Sequence, residues 1–67
     1  MQLHQLLRYI HNNVAIMIFD LSGIQIASVR TKQNISLDLY EYEVLEINQG
    51  YSNVAGCNHA IYITIVK

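Results

Sequence analysis

The sequence predicts a small α+β domain, with an N-terminal helix packed on a four-stranded antiparallel sheet in the order α-β-β-β-β. Three observations lead there. Leu3, Leu6, Leu7 and Ile10 recur at the i, i+3, i+4, i+7 spacing that gives a helix one apolar stripe. Four later apolar segments are short, rich in β-branched residues and bounded by Asn, Asp, Ser or Gly, as strands are. A length of 67 residues leaves room for one core only, close to the lower limit at which a fold stands without disulfides or metals.

The helix is expected over residues 2–11, with Gln2, Gln5 and Arg8 on its wet side. Asn12 and Asn13 follow, and asparagine tolerates the left-handed conformation common just past a helix end. A helix this short is marginal in water, so its leucine stripe must pack on something. Residues 14–19 form the first strand. Asp20 at the first position and Gly23 at the fourth suit a type I turn. The chain then returns over 24–29, with Ile24 and Ile26 on one face and Gln25, Ala27 and Val29 on the other. Residues 30–34 read as a polar link, and Ser36 as the N-cap of one helical turn over 37–40, its hydroxyl accepting from free amides ahead. A third strand is expected over 42–48 and a fourth over 59–66, joined by a long loop at 49–58. In the fourth, Ile61, Ile63 and Ile65 share one face and Tyr62, Thr64 and Val66 the other.

The stretch "VAIMIFDLSG" at residues 14–23 carries a consequence. Both alternating sets, Val14, Ile16, Ile18 and Ala15, Met17, Phe19, are apolar, so neither face of that strand is built for water. A single ten-residue helix covers one face. The other, drawn from Met17, Phe19, Val29, Tyr62 and Val66, is expected to meet a second copy of the chain or another protein, unless the 30–40 segment and the 49–58 loop fold over it.

Composition narrows the function classes. The chain is 52% hydrophobic and 13% charged, which marks a globular and not a disordered segment. A formal net charge of -1 lacks the basic excess of a typical nucleic-acid binder and the acidic excess of a DNA mimic. Cys57 is the only cysteine, so no internal disulfide forms and a reducing cytoplasm is the expected compartment. The N-terminus lacks the unbroken apolar core of a signal peptide, and no apolar run approaches the ~20 residues of a membrane span. From Met1 to Lys67 the chain reads as one complete small gene product without membrane attachment.

Few residues invite chemistry. Cys57 and His59, with His4 and His11, include zinc-ligand types but lack the paired spacing of zinc modules, so no metal or cofactor is expected. Cys57 and His59 as nucleophile and base have nothing to orient the imidazole, and so small a fold leaves little volume for a substrate pocket. No catalysis is expected. Asp38, Glu41, Glu43 and Glu46 place four of the five acids within nine residues, interleaved with Tyr40 and Tyr42. Such a cluster is either a solvated edge or a binding rim in which tyrosines anchor and carboxylates steer. Tyr51 and Asn53 in the following loop read as a flexible hairpin or a binding tip.

The "VAIMIFDLSG" strand and turn, the leading "LLRYI" helix and the "SLDLYEYEVLEI" segment give the chain an organisation that resembles the very short proteins encoded by bacteriophages and mobile elements of low-GC bacteria. Several of those inhibit host defence, anti-CRISPR proteins among them, and act as small, often dimeric binding proteins. The resemblance implies a non-catalytic inhibitor that contacts a host nuclease or nucleoprotein complex in the host cytoplasm; the acidic stretch and the loop after it offer Asp38, Tyr40, Glu41, Tyr42, Glu43, Tyr51 and Asn53 as its contact residues. With the second apolar face left by a single short helix, a homodimer is expected, formed through the sheet face or an edge strand. The alternatives are a nucleic-acid-binding accessory using Arg8, Arg30, Lys32 and Tyr51, and a structural subunit of a larger homo-oligomer.

Overall fold

Residues 1–51 and 59–67 are described by the computed structural model. In chain order they form α1 (Leu3–Leu7), β1 (Ala15–Phe19), β2 (Gln25–Val29), two 3₁₀ turns (Lys32–Asn34 and Leu37–Leu39), β3 (Glu43–Tyr51) and β4 (His59–Val66). The strands make one sheet in the order β2-β1-β4-β3. Both hairpins are antiparallel, but β1 and β4 lie side by side in parallel, so the sheet is mixed and not purely antiparallel as expected.

The reason lies in two segments that need cover on more than one side. β1 and β4 are the apolar strands, and placing them next to each other at the centre leaves the more polar β2 and β3 at the edges. β2 ends beside the start of β1, where Val29 pairs with Ile16, whereas β3 begins beside the end of β4, where Glu43 pairs with Val66. With β4 parallel to β1, residues 30–42 must climb the whole height of the sheet. That climb buries Ile35 and Leu39 against Ile16, Ile18, Ile63 and Ile65, together with Leu3, Leu7 and Ile10. An all-antiparallel arrangement would start β3 at the end where β2 finishes, and the connection would run along the sheet's rim with those two side chains in water.

Each end of α1 is set by backbone bonds. The amides of Leu3 and His4 donate to the carbonyls of Tyr42 and Tyr40 at 2.9 and 3.0 Å, and Gln5 Oε1 accepts from the Gln2 amide at 2.8 Å. Tyr9 and Ile10 then donate to Leu6 and Leu7, three residues back, which tightens the coil and ends it at Leu7. The helix is therefore shorter than the spacing predicts, although Ile10 keeps its place in the core. No non-glycine residue among those described has positive φ, so the left-handed asparagine end is not used.

The β1–β2 hairpin turns as its sequence indicates. Gly23 donates to the Asp20 carbonyl at 3.1 Å with φ of 82°, and Asp20 Oδ1 accepts from the amides of Ser22 and Ile24. An irregularity in pairing beyond Ile18 puts Gln25 opposite Phe19 while Ala27 and Val29 stay opposite Ile18 and Ile16. Gln25 and Val29 thus end on opposite faces, against the simple alternation. β3 runs on to Tyr51, since Gln49, Gly50 and Tyr51 pair with Ile61, Ala60 and His59, and the expected loop is shortened from its front. The ring of Tyr62 lies over Gly50, where an added Cβ would meet its Cε2 at 3.0 Å, so glycine admits the ring. Ser36 precedes the second 3₁₀ turn, but its hydroxyl makes no capping bond; its carbonyl accepts from the Leu39 amide instead.

The climb of residues 30–42 can be checked with two leucines. Leu39 is 6% exposed and Leu37 is 74% exposed. Leu39→Ala is expected to cost about 2–5 kcal/mol in urea denaturation, a large share of so small a fold's stability, and Leu37→Ala less than about 0.5 kcal/mol. Equal effects would contradict the burial of this segment.

Candidate functional site

The helix, Ile35 and the second 3₁₀ turn pack on the same face of the sheet. The opposite face presents Ala15, Met17 and Phe19 from β1 and Ala60, Tyr62, Thr64 and Val66 from β4, by their register. Ala15 and Ala60 are buried between their neighbours, with Met17 and Tyr62 half-buried over them. Phe19 and Tyr62 meet as a tilted pair, ring centroids 6.3 Å apart, and Tyr62 Oη donates to the Tyr51 carbonyl at 3.3 Å. Flanking this strip are Gln25 and Ser28 on β2 and Glu46 and Asn48 on β3. No helix or 3₁₀ turn among the described residues lies over it.

Of the five residues expected to share this face, Met17, Phe19, Tyr62 and Val66 do. Val29 does not, because it pairs with Ile16 and packs on the covered core. The 30–40 segment likewise packs on the helix side and leaves this face alone, while residues 52–58 of the other expected cover, the 49–58 loop, lie outside the described residues.

The acidic, tyrosine-bearing stretch is divided by the fold. Tyr40 and Tyr42 pack against the core, and their carbonyls hold the first amides of α1. They line two separate clefts, Tyr40 with His4 and Lys32, Tyr42 with Asp38 and Lys67. Asp38 and Glu41 are exposed, and Glu43 pairs with the Met1 ammonium at 3.1 Å, an exposed contact worth little by itself. Tyr51, 88% exposed, sits at the far end of β3, about 27 Å of strand from Glu43. Asn53, like Cys57, lies outside the described residues. The described ones among these positions therefore do not form one compact patch.

Two features escaped sequence reading. β3 is an edge strand carrying exposed Leu45, Ile47 and Tyr51, and beyond the bridge from Gln2 to Glu43 no described strand pairs with its outer side. The second is a cleft of about 210 Å³ between α1 and the crossover, lined by His4, Leu7, Arg8, Lys32, Gln33 and Tyr40. The spacing of His4, Leu7 and Arg8 was a legible signal for one wall; nothing local announced Lys32. Tyr51 lies apart from that cleft, beside His59 and Gly50, so Arg8, Lys32 and Tyr51 do not make a continuous track. Among the described residues no group of three or more His, Cys, Asp or Glu is placed to hold a metal ion, and no helix is long and apolar enough to cross a membrane.

Comparison with protein-family models, with curated proteins and with solved structures finds no match to this chain.

Tyr42 and Glu41 separate packing from surface roles. Tyr42→Ala is expected to lower stability by about 2–4 kcal/mol by thermal or urea unfolding, and Glu41→Lys to leave it within about 0.5 kcal/mol. Thr31 offers a gain: its Oγ1 is buried with no hydrogen-bond partner among the described residues, so Thr31→Val is expected to raise stability by about 1 kcal/mol in the same assay.

Proposed function

We propose that this chain is a non-catalytic protein-interaction module that pairs with a second copy of itself across the open face of its sheet. The supporting observation is the one-sided cover among the described residues: there the helix and the 30–42 crossover lie on one face, and Met17, Phe19, Tyr62 and Val66 line the other. An apolar strip flanked by Gln25, Ser28, Glu46 and Asn48 has the make-up of an interface core with a polar rim. The broad side of the molecule, 29 × 23 Å, is comparable in area to the about 800 Å² that each partner gives to a standard interface. A two-fold pairing places the same strip on both sides, which makes the contact self-complementary.

In this reading the surfaces left outside the dimer serve a host target. Asp38 and Glu41 steer towards an arginine-rich groove of a nuclease or nucleoprotein complex, Glu43 adds its charge from beside Val66 at the rim of the dimer face, and exposed Tyr51 anchors at the far end of β3. This inhibitor role rests on the resemblance of the sequence to small phage-encoded proteins and on those exposed side chains.

Sedimentation from about 5 to about 200 µM, a span over which a dimer of micromolar affinity forms, tests the pairing. The expected result is a dimer that Val66→Lys with Met17→Lys converts to a monomer of unchanged circular dichroism. A wild-type monomer throughout that range disproves the pairing. The inhibitor role is read separately, as slower cleavage of labelled DNA by purified defence nuclease complexes when the protein is in excess; unchanged rates with all of them remove it.

A further inference from the structure

Four side chains are formally cationic in this chain, and two of them, Arg8 and Lys32, line the cleft between α1 and the crossover. From this we infer that the cleft is a binding site for a phosphate group. His4 and Arg8 stand one turn apart on the same side of α1, with Leu7 between them as an apolar floor. Lys32 and Gln33 come from the first 3₁₀ turn, and Tyr40 closes the cleft from the end of the second. No Asp or Glu lines it, although the chain as a whole carries net negative charge.

The electrostatics favour a doubly charged oxyanion. The end of a helix exposes carbonyls and repels anions. Here Lys32 Nζ donates to the Leu7 carbonyl at 2.9 Å, which offsets that repulsion and holds the ammonium in place with two further N–H groups to offer. Fixing the ammonium beforehand removes much of the ordering cost of binding. Arg8 is exposed and supplies a planar fork of donors suited to two oxygens of one phosphate. His4 Nε2 donates to Gln2 Oε1 at 2.8 Å, which orients the imidazole at the wall of the cleft. Two cations match the two charges of a phosphate monoester, whereas a single carboxylate leaves one cation unmatched. The volume, about 210 Å³, holds a phosphate and part of what it is attached to, with Leu7 and Tyr40 offering apolar contact to that remainder.

The test is a titration of the full chain, followed by amide chemical shifts, with inorganic phosphate, adenosine monophosphate and a short oligothymidylate, and with acetate at matched ionic strength. Saturable shifts centred on His4, Arg8, Lys32 and Tyr40 are expected with the phosphate probes. Arg8→Gln, at an exposed position, should weaken them on the order of tenfold while the rest of the spectrum is retained. Tightest binding by the mononucleotide identifies a small phosphorylated ligand as the source of the group, whereas tightest binding by the oligomer, whose internal phosphates are singly charged diesters, contradicts the match to a monoester. Shifts that fail to saturate, that are matched by acetate, or that persist unchanged in Arg8→Gln overturn the assignment.

Discussion

The first four residues lie antiparallel to residues 40–44, and this clasp is the contact on which the rest depends. Val44 donates to the Met1 carbonyl at 2.8 Å, Leu3 and His4 donate to Tyr42 and Tyr40, and Gln2 bridges to Glu43. A helix as short as α1 does not form alone in water, because nucleation costs more than so few bonds return. The clasp satisfies its leading amides from outside and sets its leucines over the sheet. The same bonds end the crossover at the height where β3 must begin. One set of backbone contacts therefore places both the helix and residues 30–42 on a single face.

That placement explains the asymmetry of the molecule. The covered face gathers Leu3, Leu7, Ile10, Ile35 and Leu39 over four isoleucines of the central strands. Among the described residues the other face has the mutual shelter of Ala15, Ala60, Met17 and Tyr62, with Phe19 against the tyrosine ring. A chain of this size has too little surface to cover both sides of a four-stranded sheet, so the uncovered side is where association would bury the most apolar area per residue ordered. The cleft beside α1 is a by-product of the same packing. It exists because the crossover passes the end of the helix, bringing Lys32 to the Leu7 carbonyl from 25 residues away.

Much of the architecture was legible locally. The leucine stripe, the Asp20–Gly23 turn, the apolar character of both faces of β1 and the alternation of β4 all follow from spacing and from what glycine and aspartate do in turns. The four residues of the open face that lie on β1 and β4 could be named because alternation along a regular strand is rigid. Val29 could not, since a register irregularity in a hairpin is decided by the turn and not by the strand's own pattern. Tyr40 and Tyr42 looked like surface anchors beside their carboxylates, but whether an aromatic in a polar stretch faces water depends on what passes beneath it.

By itself the sequence determined the element types and the apolar character of both faces of β1, because these depend on periodicity and composition within a few residues. Tertiary structure alone decided the parallel pairing of β1 with β4, the early end of α1, the burial of Ile35 and Leu39 and the placing of Arg8 and Lys32 on one cleft. Each of these is a choice between partners distant along the chain. Such choices are settled by which arrangement buries the most apolar surface while leaving backbone donors and acceptors paired, a sum over the whole molecule that no short window of sequence contains.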